Sequence, residues 1–258
     1  MLLLIAGTTE GRVLFHRLKG TGLKLIATSL TDYGINLLNG EGDSNFEAVK
    51  GSLDKTGLSQ LIEEKSITKI IDASHPFALE ISKHAMDAAR EQGVVYLRYE
   101  RSPLILPENN LIKRTDGFQQ AAEEAVGFGR VIFLTIGVRN LQPFVSTAEK
   151  QEKNIVARVL PLESSLKACR ENGLQPSQIV ALQGTGSKDL NKELFKFYQA
   201  SVLVTKDGGT TGGTLTKIEA ALELNIPVIF IQRPNLDYGK NVYHQMNKLI
   251  EQIINNEK

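Results

Sequence analysis

The feature that most constrains this chain is a repeating rhythm of short apolar runs. Residues 2–6, 23–28, 69–73 and 94–99 are rich in Val, Ile and Leu, and each run is followed by turn residues and then a helical pattern. A strand covered on both faces must be apolar throughout, and a helix between two such runs is the usual crossover between parallel strands. The rhythm starts again at residues 130–135, 155–160, 179–182, 201–205 and 228–232. With 258 residues the chain has room for two α/β units in succession. Residues 102–110, with Pro103 and Pro107 among polar turn formers, suit a connection. The expected division is therefore a first domain over residues 1–108 and a second over 109–258. The last stretch, 241–256, spaces Val242, Met246, Ile250, Ile253 and Ile254 as a packing helix does.

Composition narrows the function classes. Lys and Arg number 30 against 29 Asp and Glu, a net charge of +1, so no global basic field argues for nucleic acid or an anionic membrane. An anionic ligand must be met by local charge. The single cysteine, Cys169, excludes an internal disulfide and any multi-cysteine metal site, and its apolar-periodic setting reads as a half-buried helix position rather than a nucleophile. His16, His84 and His244 fall on helical patterns with no metal-ligand spacing, so no metal is expected. No run approaches the roughly 18 apolar residues of a membrane span. The opening Met1-Leu2-Leu3-Leu4-Ile5 stops at Ala6-Gly7 with no basic stretch before it, and the expectation is a cytoplasmic protein.

Three glycine-rich turns follow strand-like runs. The first, Gly7-Thr8-Thr9-Glu10-Gly11-Arg12, leads into a helical pattern, and a strand, a glycine turn and a helix N-terminus together form a phosphate cradle of unpaired amides. Its spelling is not the full G-x-G-x-x-G, and a plain connecting turn is the competing reading. The next strand ends Ala27-Thr28-Ser29, without the acid that takes a ribose 2′-hydroxyl. Hydroxyls there, with Arg12 in reach, tolerate a 2′-phosphate and lean towards NADP over NAD; Asp32 acting in place of Ser29 would reverse that. The second turn is Gln183-Gly184-Thr185-Gly186-Ser187. The third, Lys206 to Gly213, has glycines at 208, 209, 212 and 213 and is not a P-loop, because no Gly-Lys-Ser/Thr follows.

Ligands of open parallel sheets sit beyond the carboxyl ends of the strands, so polar residues there carry weight. Asp72-Ala73-Ser74-His75-Pro76-Phe77-Ala78 places an acid and an imidazole at such an end. His75 can bind a ligand, move a proton or simply hydrogen-bond locally. Arg98, Arg101, Arg139, Arg158 and Arg233 also fall at strand ends. Guanidinium groups grip carboxylates and phosphates in pairs of bonds, so such an edge suits a polyanionic small molecule.

Taken in order, these motifs resemble the precorrin-6A reductase family, cobalt-precorrin-6A reductases of cobalamin biosynthesis included. The match runs through Gly7–Arg12, Asp72–Ala78, Tyr96-Leu97-Arg98-Tyr99-Glu100-Arg101, Phe133-Leu134-Thr135-Ile136-Gly137, Val204-Thr205-Lys206-Asp207-Gly208-Gly209 and Gly212-Gly213. The His-Pro-Phe-Ala and Thr-Lys-Asp-Gly segments are the specific ones. Ser102 departs from the family, which often reads Arg-Pro where this chain has Arg101-Ser102-Pro103.

The resemblance implies two Rossmann-like parallel-sheet domains with the active site in the cleft between them. It implies an oxidoreductase that uses NADPH to saturate one double bond of a ring-contracted tetrapyrrole, metal-free or bearing cobalt, with transient contacts to neighbouring pathway enzymes. Gly7, Thr8, Thr9, Glu10, Gly11 and Arg12 with Thr28 and Ser29 would hold the cofactor phosphates, and His75 and Pro76 would lie at its nicotinamide end. Arg98, Arg101, Gly137, Arg139, Lys206, Asp207, Gly208, Gly209, Gly212 and Gly213 would meet the macrocycle. His75 and Lys206 are the chemically able proton donors, alongside water and the substrate's own carboxyls. Two other readings stay open: a non-catalytic nucleotide or tetrapyrrole carrier, and an NADP-dependent reductase of a smaller substrate.

Overall fold

The computed structural model describes residues 1–30, 32–38, 45–51, 53–209 and 212–255, without the side chains at positions 32 and 33. It divides into a first unit, Met1–Arg101 with Asn235–Lys258, and a second, Ser102–Pro234. The first unit opens with β1 (Leu2–Ile5), α1 (Thr9–Leu18), β2 (Leu25–Ser29), α2 (Asp32–Leu38), β3 (Phe46–Lys50), α3 (Lys55–Glu64), β4 (Lys69–Asp72), α4 (Leu79–Gln92) and β5 (Val95–Tyr99). All the pairings of these strands are parallel, with Leu3 level with Ile26 on one side and Ile70 on the other. The pleat explains why β1 is apolar at every position. Leu2 and Leu4 pack with Leu14, Phe15 and Leu18 of α1, while Leu3 and Ile5 pack on the opposite face with Leu58 and Ile62 of α3 and with Ala85, Ala88 and Ala89 of α4.

The second unit runs β6 (Ile112–Thr115), α5 (Phe118–Ala125), β7 (Val131–Leu134), α6 (Gln142–Lys150), β8 (Asn154–Val159), α7 (Glu163–Glu171), β9 (Ile179–Ala181), α8 (Lys188–Phe197), β10 (Val202–Lys206), α9 (Thr214–Glu223) and β11 (Val228–Ile231). Phe133, Leu203, Val228 and Phe230 of its sheet pack with Phe195 of α8 and Ile218 and Ala221 of α9, and the Phe133 and Phe195 rings meet edge to face at 5.1 Å. Cys169 is buried in α7, where burial pushes its thiol pKa up.

The chain then returns to the first unit with β12 (Val242–Tyr243) and α10 (Met246–Asn255). This corrects the expected second domain over 109–258. β12 pairs in parallel with β5, and Arg98 and Glu100 donate their amides to the carbonyls of Asn241 and Tyr243, both at 2.9 Å. Leu249, Ile250 and Ile253 of α10 enter the same core as Leu14 and Leu18 of α1.

Among the described residues the sheets read β3-β2-β1-β4-β5-β12 and β9-β8-β7-β10-β11-β6. Each is the doubly wound order, with its sixth place filled by a strand from outside the run: β12 comes late and β6 comes early. In each, the order reverses between two central strands, β1 and β4 in the first unit and β7 and β10 in the second, and that is where such sheets take ligands. Among the described residues no helix is long and apolar enough to cross a membrane.

Gly11 shows how closely α1 lies on β1: a Cβ there would stand 2.7 Å from the Ala6 Cα and 2.9 Å from its carbonyl carbon. Its missing side chain serves helix packing, so Gly11→Ala should cost about 1–3 kcal/mol of unfolding free energy by overpacking. Denaturant unfolding of the purified variant checks this.

Candidate active site

At the carboxyl edge of the first sheet, the turns after β1 and β4 are tied together. The Thr8 hydroxyl donates to the Ala73 carbonyl at 2.8 Å and accepts from the Gly11 amide at 3.0 Å, capping α1 while joining the two loops. With its side chain so used, Thr8 can offer a ligand only its amide. The amides of Gly7, Thr8 and Thr9 have no partner among the described residues, and a Cβ at exposed Gly7 would meet nothing within 4 Å. Open space beside Gly7 and three amides without a partner among the described residues thus coincide at the head of α1. Glu10, expected beside them, is buried and ion-paired with Arg101, so both side chains brace the first turn of α1. Arg12 is half-buried, its Nη2 donating to the Thr9 hydroxyl at 3.0 Å. Thr28 and Ser29 are buried at the end of β2, and the side chain of Asp32 lies outside the described residues.

Beneath the turn after β4 lies a buried charge network. Asp72 is fully buried and accepts from the Ser74 amide at 2.9 Å, the Ser82 hydroxyl at 2.6 Å, the Tyr96 hydroxyl at 2.7 Å and Arg98 Nη1 at 2.8 Å. Arg98 also donates from Nε and Nη2 to Glu100 at 2.8 and 2.6 Å, and its guanidinium lies 4.6 Å from the Tyr238 ring centre. Burial alone would raise the Asp72 pKa, but the Arg98 charge and the three other donors outweigh it and hold the carboxyl below its ordinary value. Burial and the Asp72 charge push the Tyr96 hydroxyl pKa up. Arg98 was expected to grip an incoming anion; with two carboxylates already on it and no exposed surface, it is a structural residue. On top of this base stands His75, half-buried, whose Nδ1 accepts from the Phe77 amide at 3.2 Å. That bond leaves the proton of the neutral ring on Nε2.

In the second unit the order reverses between β7 and β10. Gly137, at φ +78°, and Arg139 are exposed beyond β7, and no hydrogen bond or ion pair holds the Arg139 side chain among the described residues. Lys206 ends β10; burial first and the Arg139 charge second push its pKa down to about 8. Asp207, expected to meet a ligand, is instead buried under Arg233, which grips it at 2.8 and 2.9 Å, and it accepts from the Gly209 amide at 2.9 Å. Its carboxylate shapes the loop. Gly208, Gly209, Gly212 and Gly213 bring that loop to α9, and Gly213 has φ +58° with Thr185 only 2.2 Å from where a Cβ would stand. Thr210 and Thr211 lie outside the described residues. Arg158 is buried, donating to Asn191 Oδ1 at 2.8 Å and to the Gly184 carbonyl at 2.5 Å.

The structure thus brings Gly7, Thr8, Thr9 and Arg12 to one edge with His75, and Lys206, Arg139 and the glycine loop to the other unit's edge. Sequence reasoning missed Tyr96, Ser82 and Tyr238 in the buried network, and Lys217, which is buried in the first turn of α9. A lysine at a core-facing position of an otherwise apolar helix face was the signal available for Lys217.

A family model described as precorrin-6x reductase CbiJ/CobK matches residues 1–254. The chain is 36% identical over 258 residues to the cobalt-precorrin-6A reductase of Methanothermobacter thermautotrophicus, spanning 98% of this chain and 83% of that one. It is 36% identical over 257 residues to the cobalt-precorrin-6A reductase of Priestia megaterium, spanning 99% and 98%. A solved CobK precorrin-6A reductase superposes with a TM-score of 0.81 at 21% identity, over 98% of this chain and 96% of that one, which shows a shared fold.

Arg98→Met strands the buried Asp72 charge and should cost about 3–5 kcal/mol of stability. Because Asp72 has a lower pKa folded than unfolded, its contribution is complete above the unfolded value of about 3.9 and is lost as pH falls from there through the folded value. Asp72→Asn should flatten that acid limb in unfolding free energies measured from pH 6 to pH 2.

Proposed function

The chain belongs to the precorrin-6x reductase family, and we propose that it reduces the cobalt-bearing form of precorrin-6A with NADPH. Its activity is that of an oxidoreductase of cobalamin biosynthesis acting on a precorrin-6A-type tetrapyrrole. A reductase of this family calls for a nicotinamide cofactor; the choice of NADPH and of the cobalt-bearing macrocycle is our reading. Both curated relatives described above are cobalt-precorrin-6A reductases, which supports the metal-bearing form.

The observation that carries the cofactor assignment is the set of amides at Gly7, Thr8 and Thr9 that have no partner among the described residues, with open space beside Gly7 at the head of α1. They fit a diphosphate, whose charge the helix dipole also favours. Arg12, at the rim of that cradle, and the Thr28 and Ser29 hydroxyls would take the 2′-phosphate. When bound, the nicotinamide supplies the hydride for one carbon of the reduced double bond. The protein's own task is to bind, align and supply the proton. His75, with its Nδ1 held by the Phe77 amide, can hydrogen-bond the substrate from Nε2 and would give the proton only from its imidazolium form. Lys206 can give it from Nζ, since a pKa of about 8 leaves the ammonium acidic enough to part with a proton near neutrality. Arg139, with no partner of its own among the described residues, would meet a carboxylate arm.

Loss of NADPH absorbance on adding cobalt-precorrin-6A tests the activity, and binding of both ligands without oxidation would overturn it in favour of a carrier. Arg12→Ala should raise the KM for NADPH about tenfold and leave that for NADH unchanged, the cost of one charge-assisted contact to phosphate. Gly7→Val should raise the KM for both dinucleotides while leaving the melting temperature near wild type, since its side chain meets open space in the folded protein.

A further inference from the structure

His244 stands between β12 and α10, not within a helix as its spacing suggested, and the residue is exposed. Its Nδ1 lies 2.8 Å from the Glu100 carbonyl oxygen. A carbonyl only accepts, so Nδ1 carries the proton and the lone pair of the neutral ring is on Nε2. Nε2 has no partner among the described residues. The acceptor is firmly held, since the Glu100 amide donates to the Tyr243 carbonyl at 2.9 Å and its carboxylate is gripped by Arg98. The His244 ring therefore hangs from the same buried network that supports His75.

The two histidines are set in opposite ways. At His75 the Phe77 amide occupies Nδ1, so a second proton on that ring must displace a hydrogen bond. At His244 the second proton adds at Nε2 and displaces nothing, and the Glu100 carbonyl accepts from Nδ1 in both states. A general acid needs that arrangement, because it must take a proton from solvent, present it outward and lose it without changing its anchor. Its place in the sheet agrees. Val242 is level with Arg98 and Arg98 with Asp72, so His244 lies two residues further on, level with Glu100 and Ser74 at the carboxyl edge. From β4 to β12 is two strand spacings, about 10 Å. A dinucleotide with its diphosphate at the head of α1 spreads to either side of the switch between β1 and β4, and its nicotinamide half falls towards β4, β5 and β12.

We propose that His244 is the general acid of the reduction, giving the substrate its proton from Nε2. The assignment rests on reading the chain as an NADPH-dependent reductase of a tetrapyrrole. When one carbon of the double bond takes the hydride, the electron pair of the broken π bond is left on its neighbour. That pair takes the Nε2 proton, a C–H bond forms as the N–H bond breaks, and His244 is left neutral with its remaining proton on Nδ1. Solvent then returns a proton to Nε2.

The test compares wild type, His244→Asn and His244→Ala in a single turnover of bound NADPH with cobalt-precorrin-6A. Asparagine keeps a donor for the Glu100 carbonyl and has no proton to transfer. In His244→Asn the rate should fall about 10²–10⁴-fold, the usual worth of a positioned acid. The Kd for each ligand and the melting temperature should stay at their wild-type values. Imidazole in the buffer should return part of the rate to His244→Ala. In the ligand-free protein, nitrogen NMR of isotope-labelled histidine should show the neutral His244 ring protonated on Nδ1 and that of His75 on Nε2, the signals assigned by their absence from His244→Asn and His75→Gln. A wild-type rate in His244→Asn would leave protonation to Lys206 or water. That result, a His244→Ala that imidazole does not revive, or an Nε2–H tautomer at His244 would each overturn the proposal. Wild type that binds both ligands without oxidising NADPH would sink the reductase reading and this assignment with it.

Discussion

The first unit depends on a single fully buried guanidinium. Arg98 sits between Asp72 at the end of β4 and Glu100 just past β5, against the Tyr238 ring, with Ser82 of α4 on the far side of the aspartate. Taking these charges out of water is expensive, and the arrangement holds only because nearly every lone pair and N–H within it is used. The return is positional. Asp72 fixes the Ser74 amide, the turn that follows carries His75, and Thr8 binds that turn to the head of α1. The candidate cofactor cradle and the candidate proton donor thus stand on one rigid footing.

The two sheets share one topology and differ in how their charges are settled. At the edge of the first, Asp72, Glu100, Glu10, Arg98 and Arg101 are paired with one another, and what faces outward is backbone amide. In the second, Asp207 is paired with Arg233, while Arg139, Arg158 and Lys217 have no carboxylate partner among the described residues. Neutral donors at a helix head suit a diphosphate; a surplus of cations suits a ligand with several carboxylates. In a chain with a net charge of +1, it is this local imbalance that suits a polyanion.

Much of the fold was legible because strands buried on both faces leave continuous apolar runs. β1, β2, β4, β5 and β7 to β11 were all visible in that way. β3, β6 and β12 were not. β6 sets exposed Lys113 and Arg114 between buried Ile112 and Thr115, and β12 has two residues, too few for any period. The same shortness hid the return of the C-terminal segment, because an amphipathic helix announces a buried face without naming its partner. Of the candidate site, the glycine turns and His75 stood out through their place after strands. Arg98 and Asp207 misled for a shared reason: sequence shows that a charge lies at a strand end, not whether another charge has already claimed it.

The late arrival of β12 also sets an order of assembly on the ribosome. Until residues 235–255 emerge, β5 offers a bare edge to its surroundings, α1 shows an uncovered greasy stripe, and Arg98 lacks the Tyr238 ring. All of the second unit is translated in that interval. The half made first is therefore the half finished last, and a chain stalled midway would present the sticky surface that chaperones recognise.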